Sequence, residues 1–323
     1  AFSHTDLTPR AISGWLQETA SQPPSKSYHM NAELPQRTIR YDSPMIAAER
    51  WDHYHPRDGD ILICTPPKCG TTWTQTVCAL LIFGTPDLTV RPGVISPWFD
   101  AVHHPIENIV AMLDAQTHRR FIKTHTPLDG IPFHPQCQYL AVYRDPRDAH
   151  FSMRNHATNQ NNGRNSHRAT KDISAGFRLW AERPHQEAEE DNFSLANLVH
   201  HFKTYRSFAH FPNIHLMHYS DMQRDLQGEM QRCAAFLDID VAKGSLEALS
   251  ATASFENMKR KADQFVPGAG ENRWKDEAQF FNKGANGQWQ ADLGPNDLAI
   301  YDTRIREMLS EPDVDWLENG REA

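Results

Sequence analysis

The 323-residue sequence is poor in cysteine, in net basic charge and in long apolar runs, and each shortage excludes a class of function. Its five cysteines, at 64, 69, 78, 137 and 233, are odd in number and contain no CxxC pair. That pattern does not suit a disulfide framework and leads us to expect reduced thiols in a cytoplasmic protein. Lysine and arginine total 33 against 41 acidic residues, a net charge of −8. Nucleic acid and anionic membranes select basic surfaces, so neither is an expected partner. A local basic pocket for one small polyanion is compatible with this balance. The longest strongly apolar stretch, Val77 to Phe83, is far too short to span a bilayer. The first twenty residues show neither the basic nor the apolar region of a secretory signal.

What is present suits one large α/β domain. Hydrophobic residues make up 39% of the chain, enough for a sizeable core, and neither an internal repeat nor a long linker divides it. Residues 1–45 are polar and proline-bearing and read as an N-terminal arm with a short helix near Ile12–Thr19. Residues 46–323 read as the domain. Four short apolar runs, ILIC (61–64), RFIKTH (120–125), QYLAVYR (138–144) and NIHLMHY (213–219), have the length and composition of buried strands. Helical stretches separate them. Trp73–Phe83 is apolar and stops at Gly84, and Asp145-Pro146 is an N-cap followed by a first-turn proline. Strands alternating with helices imply a parallel sheet covered on both faces. The polar stretches 156–172 and 262–279 read as mobile surface and as candidate lids.

Between the first strand and its helix lies Thr65-Pro66-Pro67-Lys68-Cys69-Gly70-Thr71-Thr72-Trp73. A helix start offers free N–H groups and a positive dipole end, and Gly70 lets the backbone approach an oxyanion. Lys68 adds a charge, while Thr71 and Thr72 add hydroxyls. This is not a nucleotide-triphosphate loop, in which the lysine follows the last glycine. A thiol at Cys69, at a helix start beside Lys68, is expected to have a lowered pKa and to be sensitive to oxidation.

PPKCGTTW resembles the Pro-Lys-Ser-Gly-Thr-Thr-Trp loop of the cytosolic-type sulfotransferases, with Cys69 at the serine position. In that family the loop holds the 5′-phosphosulfate of 3′-phosphoadenosine 5′-phosphosulfate (PAPS), whose product is 3′,5′-ADP (PAP). The resemblance continues in order along residues 60–300. YRDPRDAHFS (143–152) is similar to the family's 3′-phosphate segment and implies that role for Arg144 and Ser152. HYSDM (218–222) implies an adenine-side contact at Tyr219, and SFENMK (254–259) implies the same for Ser254 and Phe255, with Ala253 where many members have threonine. FFNKGANGQW (280–289) resembles the C-terminal donor segment through Lys283, Gly284, Gly287 and Trp289. Asn282 replaces an arginine there, a loss that a neighbour such as Arg273 could make good.

Sulfuryl transfer to a hydroxyl needs a base for the acceptor proton and cations for the leaving phosphate oxygen. Lys123 and His125 lie two apart at the end of a strand and therefore point to the same side. KTHTP (123–127) is similar to the family segment whose histidine is the base, which implies that role for His125, with Lys68 and Lys123 as the stabilising cations and no metal. Position and resemblance single out His125 among 18 histidines. His103-His104 and His200-His201 are adjacent pairs, and neighbouring side chains do not converge on one ion.

The expected acceptor is a small phenol or hydrophobic alcohol. Its pocket is expected from Val94–Val102, Thr126–Phe133 and the 156–172 stretch, with Trp98 and Phe99 sandwiching a ring. The family's C-terminal dimer motif is not found, so oligomeric state stays open. Two rival readings are a small-molecule kinase, which wants a lysine after the glycine and a magnesium-binding aspartate, and a degenerate nucleotide-binding or scaffold protein. The substitutions at 69, 253 and 282 support only the second.

Overall fold

All four apolar runs form strands, and all pair in parallel. A computed structural model describes residues 33–161, 170–186, 193–242 and 244–321. The strands β1 (Ile61–Cys64), β2 (Phe121–Thr124), β3 (Gln138–Tyr143) and β4 (Ile214–His218) lie in the order β2-β1-β3-β4. β1 is central, with Cys64 level with Thr124 on one side and Ala141 on the other. Alternation along the strands divides the core. Ile61, Ile63, Leu140 and Val142 face helix α1 (Thr71–Phe83), while Leu62, Cys64, Tyr139, Ala141 and Tyr143 face helix α3 (Leu195–Arg206). Helix α2 (Pro146–Asn159) follows β3. The Asp145 carboxylate caps it by accepting from the Arg147 N–H, and Pro146 occupies its first turn, as the sequence signal predicts.

The expected helix at Ile12–Thr19 lies outside the described residues, as do 162–169 of the polar stretch. The reading of an arm up to residue 45 does not hold for its described part. Tyr41 and Met45 are buried, and the Thr38 and Ile39 N–H groups both donate to the Asp129 carbonyl. The Tyr41 ring crosses Gly130 so closely that a Cβ there would lie 2.3 Å from it. Residues 33–45 are therefore an integral edge of the domain. The two candidate lids are not independent either. Gln160 bridges Trp274, the Lys275 N–H donates to the Asn159 carbonyl at 2.8 Å, and the Asn159 side chain donates to the Asp276 carbonyl at 2.7 Å. The described parts of both stretches thus tie the end of α2 to the 272–282 segment.

The core carries neutral histidines. Burial pushes His150 and His201 down to about 3 and His218 to about 4. The unfolded chain binds protons on these rings below about pH 6.5, while the folded chain does not. Stability is therefore complete above that pH and is lost as pH falls, by about 1.4 kcal/mol per ring and pH unit, until the depressed values are reached. A thermal melt series from pH 7.5 to 4.5 is expected to show Tm falling steadily below pH 6.5. A flat Tm down to pH 5 would contradict this.

Candidate active site

The residue after each strand is where the site begins. Thr65 follows β1, His125 follows β2, Arg144 follows β3 and Tyr219 follows β4, so one sheet edge collects all four. Ligands gather at the carboxyl ends of parallel strands for this reason.

The loop from Thr65 to α1 is held in an unusual backbone shape. Lys68 has φ +69° and Gly70 has φ +112°. A Cβ at Gly70 would come 3.2 Å from the Tyr219 ring, so the loop and the residue after β4 are in close approach. The hydroxyls of Thr65 and Thr71 meet at 2.5 Å, which ties the loop across its mouth. Thr72 begins the helix half-buried, and its carbonyl accepts from Thr76. Cys69 departs from expectation. Its thiol is fully buried, and burial raises it to about 12 against the lowering effects of Arg144 and Lys68. It is an inert core thiol, because loss of water outweighs the nearby positive charge.

His125 is 7% exposed, with Nδ1 at 2.6 Å from the Thr65 carbonyl oxygen. A carbonyl only accepts, so Nδ1 carries the proton and Nε2 keeps its lone pair. Burial, followed by the Lys123 charge, holds His125 well below the ordinary imidazole value, while the Thr65 bond opposes them. The ring is therefore a neutral base at physiological pH. Trp98 touches both neighbours of this edge. Its indole lies 4.7 Å from the His125 ring, and the Lys123 Nζ stands 4.5 Å from its centre. Lys123 and His125 thus share one side, as alternation requires.

Phe99 is not part of this face. It is wholly buried, 4.9 Å from Trp51 and 5.3 Å from Tyr54. Trp98 pairs with Lys123 as a short strand extension, so the next residue must point to the opposite side. The sandwich of Trp98 and Phe99 is therefore corrected to Trp98 alone. Around it lie Ile39, Tyr41, Met45 and Ile46 of the N-terminal edge.

On the other side of the loop, the Arg144 guanidinium stacks 4.2 Å from the Tyr219 ring centre and donates from one terminal nitrogen to the Ala285 carbonyl at 3.0 Å. Its Nε is buried and has no partner among the described residues. An arginine donor left unsatisfied in this way fits an anion site. Ser152 sits half-buried two turns into α2, the helix that follows. Trp73 meets Tyr219 edge-on at 5.1 Å and donates to the Ala253 carbonyl at 2.8 Å, so residue 253 takes part through its backbone. Ser254 caps the helix at 255–260. Phe255 is pressed by Gly284, where a Cβ would lie 2.3 Å from the ring and φ is +61°. Only glycine fits that approach.

Asn282 spends its side chain on Gln288 at 3.0 Å, and its carbonyl accepts from Lys259. Lys283 is exposed. Arg273, the suggested substitute cation, is exposed and lies over the Trp274 ring at 5.3 Å. The sequence reading missed Asp148 and the contacts by which this segment is anchored. Asp148 accepts from the Gly287 and Gln288 N–H groups, both at 2.9 Å, and Trp289 donates to Asp145 at 3.3 Å under the Arg147 guanidinium. The signal for Asp148 was a second aspartate in DPRD, one turn after the cap. The bond from His125 to Thr65 gave no signal, since it is made to a backbone carbonyl.

Among the described residues no group of three metal-ligating side chains is placed to hold an ion. The adjacent histidines diverge, His200 to Asp129 and His201 to Tyr143. No described helix is long and apolar enough to cross a membrane.

A model of the family described as "Sulfotransferase domain" matches residues 58–312. The chain belongs to the sulfotransferase family. A glycolipid sulfotransferase from Mycobacterium bovis is 36% identical over 320 residues, covering 90% of this chain and 98% of that protein. An amine sulfotransferase from Oryctolagus cuniculus is 25% identical and covers 83% of this chain and 86% of its own length. The structure of a mouse sulfotransferase complexed with PAP shares the fold, with a TM-score of 0.65 at 22% identity over 83% of this chain and 90% of that one. The candidate site described above therefore sits on a fold shared with that sulfotransferase.

Proposed function

We propose that this sulfotransferase moves a sulfuryl group from PAPS to a hydroxyl of a small organic acceptor with an apolar body. The observation that carries the proposal is the fixed His125 tautomer, a neutral Nε2 base beside Lys123 and Trp98. PAPS supplies the activated sulfuryl group, and PAP remains after transfer. The residues present fit it. The loop 68–73 and the N–H groups that open α1 would hold the phosphosulfate, Arg144 and Ser152 the 3′-phosphate, and Trp73, Tyr219, Ser254 and Phe255 the adenine. Asn282, Lys283 and Gly284 would close over it as backbone and side-chain contacts.

Each catalytic side chain has one task. His125 takes the acceptor O–H proton on Nε2, and the Thr65 carbonyl steadies the imidazolium that results. Lys68 places positive charge where the leaving phosphate oxygen gains negative charge, and Lys123 supports it. No metal is required by these roles. The apolar part of the acceptor would rest on Trp98 and Ile39, which Met45 and Ile46 back from beneath. That the mycobacterial relatives are named glycolipid sulfotransferases supports an acceptor joining a hydroxyl to an apolar body. All five cysteines are buried and unbridged, which supports a reducing, cytoplasmic setting.

The test is transfer of labelled sulfate from PAPS, with EDTA present, to a panel of phenols, sterols and glycolipids. Label is expected on at least one hydroxyl acceptor with an apolar body. Normal PAP binding without transfer to any of them would favour a degenerate donor-binding protein instead.

A further inference from the structure

The Lys68 ammonium does not lie loose over the phosphate loop. Its Nζ is 3.3 Å from the Nδ1 of His156 and 4.6 Å from the centre of the Phe280 ring. We propose that His156 is a positioning residue for Lys68, holding its ammonium ordered before the donor's phosphosulfate arrives. This rests on the reading that the loop serves a PAPS site.

His156 is suited to the task by where it stands and by how firmly it is held. It lies on α2 one turn beyond Ser152, on the same helix face. Its ring meets Trp274 at 4.9 Å and Phe280 at 5.9 Å, and its Nε2 is 2.9 Å from the Gln160 side-chain amide. Those contacts come from the 272–282 segment and the end of α2, which are tied together by the Asn159–Lys275 and Asn159–Asp276 bonds.

The hydrogen-bond chemistry fixes the ring state. An ammonium only donates, so Nδ1 must accept and the imidazole is neutral with its proton on Nε2. Gln160 then receives that proton on its amide oxygen, an orientation equivalent at the heavy atoms. Lys68 has three protons. The bond to His156 engages one of them, so it does not by itself exclude a phosphosulfate contact. Without His156 the four-carbon side chain would have to be ordered during binding, a loss of about three- to tenfold in affinity.

The experiment is calorimetric titration with PAP of the wild type, His156→Phe, His156→Asn, Lys68→Ala and the double variant Lys68→Ala/His156→Phe. Phenylalanine keeps the packing on Trp274 and Phe280 but accepts nothing, so PAP should bind about three- to tenfold more weakly with Tm within a few degrees. Asparagine offers an amide oxygen near the Nδ1 position and should recover most of the loss. In the Lys68→Ala background, His156→Phe should change nothing further. His156→Phe binding as tightly as wild type or more tightly, or an equal loss without Lys68, would overturn the proposal. A wild type that fails to bind PAP would remove the PAPS reading and this proposal with it. A wild type that binds PAP while His156→Phe matches it removes the proposal alone.

Discussion

His125→Ala is expected to lower kcat by about 10²–10⁴ while leaving PAP affinity within a few-fold. The size follows from losing a base whose tautomer and position are both fixed: Nδ1 is bound to Thr65, and the ring is wedged against Trp98. Donor affinity should survive because the groups assigned to PAP come from the loop after β1, from the chain after β3 and β4 and from the C-terminal segment, and none of them lies on β2. Steady-state kinetics with PAPS, alongside calorimetry with PAP, separates the two effects. Equal loss of both would mean that His125 supports the loop through Thr65 and moves no proton. Retained turnover would assign the base elsewhere.

Arg144→Ala is expected to weaken PAP by roughly ten- to a hundredfold and 5′-AMP by no more than a few-fold, because charge-assisted hydrogen bonds contribute about 1.5–3 kcal/mol. Only PAP carries a 3′-phosphate. Arg144 also stacks on Tyr219 and bonds Ala285, so its removal disturbs the adenine side, and 5′-AMP measures that disturbance by itself. Parallel losses for both nucleotides would make Arg144 a packing residue. A loss confined to PAP would assign the guanidinium, whose Nε has no partner among the described residues, to the 3′-phosphate.

Much of this fold could be read from the chain because each strand is a short apolar run that ends in a chemically distinctive residue. Ile61–Cys64 stops at Thr65-Pro66-Pro67, Gln138–Tyr143 stops at Arg144-Asp145-Pro146, and proline in each case forbids continuation. Helix α1 was legible from its apolar run and from Gly84, which ends it with φ +62°. The side of the sheet on which His125 and Lys123 sit follows from a two-residue period.

What escaped the sequence has physical causes as well. Phe99 looks like a partner for Trp98 in one dimension, but the bridge from Trp98 to Lys123 makes the segment extended and turns Phe99 into the core. Cys69 sits where helix dipole and lysine should acidify it. Complete burial reverses that, a property of the fold and not of the neighbours in the chain. The 280–291 segment has little regular structure, so its anchoring to Asp148, Gln223 and Lys259 leaves no periodic trace. His156 was invisible as one of 18 histidines until the end of α2 and the 272–282 segment were seen to close on Lys68.

On the function proposed above, the carboxyl edge of this sheet is a metal-independent site for a 3′-phosphorylated adenine nucleotide. Calorimetric titration of the wild-type protein with PAP and with 5′-AMP, in EDTA, tests it most directly. Tight PAP binding, strong preference over 5′-AMP and no change when magnesium replaces EDTA are expected. Equal affinity for the two nucleotides, or no binding of either, would contradict it.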